Sequence, residues 1–140
     1  MSDNLTGSHR VRVFGAALRE APRLWPRVKD RMEVRRHILK LRYWPERYPQ
    51  DDRGVLLDVD WSWIKACKGK RIGELRIADM IGGHDNIRVI FFVGDKRTDE
   101  RLATIWVLAA MQKKRDDFTP ANITTFEARR RLILERFYGG

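Results

Sequence analysis

From residue 74 to residue 137 the chain changes periodicity in an order that leaves few architectures open. Residues 74–78 read as a strand, Gly82-Gly83-His84-Asp85-Asn86 as a turn, and residues 87–93 as a second strand. A charged turn at 94–101 leads into the almost wholly apolar stretch 104–111. There Ile105, Trp106, Val107 and Leu108 suit a central strand, although so short a run also fits a buried helix. Thr119 then offers a side-chain cap and Pro120 a first helical position for a helix to about residue 137. Ile123, Phe126, Ile133 and Phe137 mark its buried side. Strands joined by short turns and closed by a helix predict an α+β fold on a small, mostly antiparallel sheet.

The N-terminal half carries weaker signals. Residues 1–9 are polar and read as a tail, and residues 11–14 as a short first strand. Residues 16–23 are weakly helical and punctuated by Pro22 and Pro26. Residues 27–42 form the better helix, with Pro26 at its start and an apolar stripe of Val28, Met32, Ile38 and Leu39. The rest of that helix is crowded with arginine and lysine. Residues 43–54, with Pro45 and Pro49, read as a loop, and residues 60–65, carrying Trp61 and Trp63, as a short helix or turn. No internal repeat interrupts residues 1–140, and the length fits one domain.

Charge narrows the partners. Lys and Arg number 29 against 19 Asp and Glu, a formal net charge of +10. That excess favours a polyanion: nucleic acid, the ribosome, an acidic protein or an anionic membrane surface. No apolar run approaches the roughly 20 residues of a membrane span, and residues 1–10 lack an apolar signal core. A cytoplasmic location is therefore expected. The lone Cys67 rules out an internal disulfide and a cysteine-rich zinc site. His9, His37 and His84 are scattered, with no second histidine or carboxylate at metal or catalytic spacing, so neither metal nor cofactor is expected.

The cations gather around the predicted sheet. Lys68, Lys70 and Arg71 precede the first of the three strands, Arg76 lies on it, and Arg88 interrupts an otherwise apolar strand. A charge in that position has to reach an edge or a cleft, because unpaired burial is expensive. Either Arg88 faces a phosphate or it pairs with Glu74 or Asp79 on the neighbouring strand. Lys113, Lys114 and Arg115 stand just before the Thr119 helix start, where free N–H groups favour anions. The same run also fits a solvated face beside Asp116 and Asp117. Trp44, Trp61 and Trp63 suit either base stacking or core packing.

At these residues the chain resembles the RelE/HigB family of bacterial type II toxins, in its HigB-like, phage-associated branch. The resemblance rests on the basic turn into Glu74-Leu75-Arg76, on Ile87-Arg88-Val89-Ile90-Phe91, and on the apolar strand around Ile105. Lys113-Lys114, Thr119-Pro120, Ala128 and Arg129 complete it, over roughly residues 55–137. It implies a compact microbial-ribonuclease-like fold, with N-terminal helices packed on the sheet and a C-terminal helix. The implied activity is ribosome-dependent cleavage of messenger RNA without metal, the substrate 2′-hydroxyl attacking the adjacent phosphate to leave a 2′,3′-cyclic product. The implied partner is a cognate antitoxin, commonly a helix-turn-helix protein. Carried over residue by residue, the resemblance makes Arg76, Arg88, Lys113 and Lys114 catalytic, with Lys68, Lys70, Arg71 and Arg115 on the RNA. Glu74 stands where some relatives place a cation, and no Tyr or His closely follows the lysine pair, leaving Tyr138 as the substitute acid or base. Two rivals stay open: a ParE-like gyrase inhibitor on the same fold, and a non-catalytic basic module, of phage origin, that holds nucleic acid or a ribosomal surface.

Overall fold

A computed structural model describes residues 7–139. The elements β3 (Ile72–Ile77), β4 (Ile87–Val93) and β5 (Ala103–Gln112) form the antiparallel centre of a five-stranded sheet. At one edge β2 (Trp61–Trp63) pairs antiparallel with β3, and at the other β1 (His9–Val13) runs parallel to β5, giving the order β1-β5-β4-β3-β2. Two helices, α1 (Gly15–Leu24) and α2 (Val28–Ile38), connect β1 to the rest. The helix α3 (Pro120–Phe137) follows β5. The chain is thus α+β with a mostly antiparallel sheet. No helix among the described residues is long and apolar enough to cross a membrane.

Both faces of the sheet are covered, which is why β4 is apolar on alternate and intervening positions alike. Ile87, Val89, Phe91 and Val93 join Leu75, Ile77, Ile105 and Val107 against Trp25, Val34, Ile38 and Leu41 on the α1–α2 side. Ile90 and Phe92 join Ile72, Trp106 and Leu108 against Phe126 and Ile133 of α3. Each such side chain contributes about 1.5–3 kcal/mol by leaving water. The start of α3 is fixed by a reciprocal pair: Asn122 N–H donates to Thr119 Oγ1 (3.1 Å), and Thr119 N–H donates to Asn122 Oδ1 (3.2 Å).

One irregularity in β5 decides what faces what. Phe91 pairs with Val107 but Ile90 pairs with Ala109, so Leu108 is an extra residue opposite the β4 register. Beyond it the alternation flips, and Ala109 and Met111 face α3 where an unbroken strand would turn them away. The Leu108 carbonyl accepts a hydrogen bond from Arg129 Nη1 at 2.8 Å, and the same guanidinium pairs with Glu20 of α1.

Several expectations need correction. Trp61 and Trp63 lie on a strand, with Trp61 opposite Leu75 and Trp63 opposite Gly73, not on a helix or turn. Three residues are too few for periodicity to show, and the pairing comes from β3. The α2 stripe is rotated from the predicted one: Asp30, Val34, His37 and Ile38 are buried, while Val28 and Met32 are 61% and 65% exposed. Two core positions are polar, which hid the true face from a hydrophobicity reading. Asp30 is satisfied by Arg27 Nε at 2.9 Å. The helix starts at Val28 and gives way to a 3₁₀ turn at Leu39–Tyr43. Of the expected tail, residues 1–6 lie outside the described residues. Ser8 is tied to the Arg42 carbonyl by its N–H (2.9 Å), and His9 already belongs to β1.

Candidate nucleic-acid interface

Along β3 the side chains of Ile72, Glu74 and Arg76 fall on the α3 side, and along β4 so do Arg88, Ile90 and Phe92. The apolar members lie beneath α3; the charged ones lie at the end of the strands beyond its N-terminus. Arg76 and Arg88 are direct cross-strand partners. Two like charges so placed repel, and each is answered by a carboxylate. Arg88 Nε donates to Glu74 Oε1 at 3.0 Å, and Arg76 Nη1 donates to Asp60 Oδ1 at 3.4 Å. Lys113 follows Met111 onto the same face, its N–H on the Asn86 carbonyl (2.9 Å) and its Nζ 3.7 Å from the same Glu74 oxygen. That ammonium also lies 4.6 Å from the Phe118 ring centre.

The side chains of Glu74, Arg88 and Lys113 are only 8%, 14% and 14% exposed, whereas Arg76 is 44% exposed. One nearly buried carboxylate is therefore bracketed by two cations, with a third at the rim. Glu74, Arg76 and Lys113 open on a cleft of about 510 Å³ that Trp63 and Phe118 also line, while Arg88 stays behind Glu74 and does not line it. Two more clefts adjoin it. One of about 280 Å³ shares Lys113, Asp117 and Phe118 and adds Lys114 and Arg115. The other, of about 550 Å³, shares Trp63, Ile64 and Lys65 and adds Lys68 and Arg71. Through these shared residues the three clefts make a track with cations in each, and Trp63, 44% exposed, is common to two of them.

The predicted residues thus come together unequally. Arg88 takes the Glu74 alternative and not Asp79. Lys113 is held in the cluster, while Lys114 and Arg115 remain exposed on the track. Lys70 pairs with Glu127 of α3 at 3.1 Å. Arg71 sits at φ 57°, with its Nε donating to the Val93 carbonyl at 3.0 Å. Tyr138 does not join: its hydroxyl accepts from Trp106 Nε1 at 3.2 Å, and Trp106 pairs with Phe92. That is four residues, roughly 13 Å, along β4 from Arg88. Trp44 and Trp61 are buried in the α1–α2 core. Burial and the Glu127 carboxylate raise the Cys67 thiol above its ordinary value, with Lys70 opposing.

Two groupings escaped the sequence reading. Glu74 appeared as a possible partner of Arg88 and as a departure from the family pattern, not as a site residue, yet it is the centre of the cluster; its phase with Ile72 and Arg76 was the available signal. His37 is not isolated either. Glu33, four residues earlier on α2, and Asp79, after β3, both present carboxylate oxygens near its ring. Comparisons with known protein families, with curated proteins and with solved structures find no match.

Proposed function

We propose that this chain is the toxin of a type II toxin–antitoxin pair, a ribosome-dependent endoribonuclease with a RelE-like fold that inhibits translation in the cytoplasm. The observation that carries the reading is Glu74, set between Arg88 and Lys113 at the floor of a cationic track. Two helices set between β1 and the other strands, with one helix after β5, are compatible with the resemblance.

In this mechanism Glu74 accepts the proton of the RNA 2′-hydroxyl as the 2′-oxygen bonds to phosphorus. Arg88 and Arg76 take up the charge that develops on the phosphoryl oxygens, a role for which preorganised cations in a water-poor cleft are effective. The P–O5′ bond breaks, leaving a 2′,3′-cyclic phosphate, and the 5′-oxygen takes a proton from Lys113. The proton held by Glu74 then returns to Lys113, 3.7 Å away, and the site is reset. Lys114, Arg115, Lys68, Lys70 and Arg71 hold flanking phosphates, and Trp63 stacks on a base.

A second surface fits the antitoxin. Between α1 and α2 an apolar cleft of about 520 Å³ leaves Leu18, Val28 and Met32 at least 60% exposed, rimmed by Arg31 and Arg35. An acidic amphipathic segment complements both its apolar floor and its charge.

The competing reading, a non-catalytic basic module, is favoured by one observation. Both inner cations are committed to Glu74, and no Tyr or His lines the cleft. Primer extension on a translated message decides between them: codon-phased cuts that need ribosomes and persist after chelation are expected. Growth arrest with intact message and gyrase-dependent DNA breaks selects the ParE-like alternative. Binding to RNA with no cuts under any condition selects the module.

A further inference from the structure

His37 lies on the other face of the sheet and takes no part in that chemistry. It is 7% exposed, and neither ring nitrogen makes a hydrogen bond. Its Nε2 is 3.2 Å from Asp79 Oδ2, but outside hydrogen-bond geometry. Two such atoms this close, with no hydrogen bond between them, leave their lone pairs free for a third group. Adjacent ligands of a tetrahedral zinc ion, each roughly 2.0–2.2 Å from the metal, stand about 3.4 Å apart. The His37–Asp79 spacing of 3.2 Å is close to that value.

Glu33 supplies the third ligand. A separation of four residues puts it beside His37 on one face of α2. One ligand atom from each of Glu33, His37 and Asp79 lies within 4.8 Å of the other two. The Glu33 side chain is half-buried and turns about three torsions, enough to close the remaining gap. Lys40 and Arg36 lie close enough to the ring to act on its charge, as does Asp79. Those two cations are balanced by the two carboxylates, and Lys40 Nζ is drawn away to the Asp58 carbonyl at 2.7 Å.

We propose that Glu33, His37 and Asp79 form a site for a divalent transition-metal ion of the zinc class, with water completing the coordination. One imidazole and two carboxylates are a donor set suited to such ions. The ion bridges α2 to the connection between β3 and β4. It is separate from the RNA track, so chelation lowers stability without touching the cutting step.

The test is calorimetric titration of the metal-stripped, tag-free full chain with Zn²⁺ and with Co²⁺, alongside melting temperature. One ion per chain, a dissociation constant below about 100 μM and a raised melting temperature are expected. Glu33→Gln and Asp79→Asn change one half-buried and one exposed group and preserve side-chain shape. Each is expected to weaken binding about tenfold or more while the apo-protein melts as before. His37→Ala should abolish binding, but it opens the core, so the two carboxylate variants carry the test. Absence of binding at that concentration overturns the proposal. So does binding that both carboxylate variants retain, which would place the ion on His9 or His84.

Discussion

Replacing Arg88 by alanine has two separable consequences, and the geometry sets the size of each. The first is structural: Glu74 loses a 3.0 Å charge-assisted hydrogen bond while its side chain stays 8% exposed. Breaking a buried pair from one side costs about 3–5 kcal/mol when nothing else compensates. Here Lys113 remains 3.7 Å from the same oxygen. At equal dielectric, attraction scales inversely with distance, so Lys113 retains about four-fifths of the Arg88 term without its hydrogen-bond geometry. The expected loss is therefore about 2 kcal/mol, or about 7 °C in melting temperature for a chain of this size. The second consequence is catalytic: a donor aimed at the developing phosphoryl charge is worth about 3–4 kcal/mol, several hundred-fold in rate. Arg88→Ala alone mixes the two. The double variant Glu74→Gln/Arg88→Met removes the stranded carboxylate and should recover part of the lost melting temperature, the rest being withheld because Lys113, 14% exposed, loses its Glu74 partner. Its ribosome-dependent cleavage should remain several hundred-fold down. A stable double variant that still cuts at the wild-type rate refutes both the catalytic role of Arg88 and the proton-accepting role of Glu74.

Three further outcomes are expected. Trp63→Ala should lower the melting temperature modestly, because the ring is 44% exposed but meets Trp44 and Trp61 edge-on, and weaken single-stranded RNA binding by about 1–3 kcal/mol in a filter or anisotropy assay; unchanged affinity removes the stacking role. Arg129→Met should cost about 1–3 kcal/mol through loss of the Leu108 carbonyl and Glu20 contacts, and should lower cleavage further by releasing the bulge that aims Lys113; a variant that is destabilised but fully active would show that the bulge holds without it. In metal-free buffer, stability should fall as pH drops below 6.5. The folded-state pKa of His37 is lowered, chiefly by burial, so the unfolded chain takes up the proton first and the contribution is lost as pH descends through the folded value. His37→Gln should flatten that slope without abolishing it, since the lowered His9 acts in the same direction; an unchanged profile of melting temperature against pH would contradict the assignment.

The sequence by itself determined the parts whose signals are local. Thr119 and Pro120 announced α3 because a cap and a fixed φ act within one turn. Ile87–Val93 announced a strand because seven residues, apolar except for Arg88 and bounded by a glycine-rich turn, fit little else. Arg88 stood out because a charge inside such a run demands a partner. The tertiary structure alone decided what those residues meet. The short Trp61–Trp63 strand exists because β3 offers an edge to pair with, and the buried face of α2 includes Asp30 and His37 because Arg27 and the core around them make those positions tenable. Above all, one extra residue at Leu108 reverses the alternation of β5 and so brings Lys113 to the face that holds Glu74, Arg76 and Arg88. Reading a strand by twos puts Lys113 on the other face. A bulge depends on the register of a strand pairing between residues far apart in the chain, and a single-strand pattern carries no trace of it.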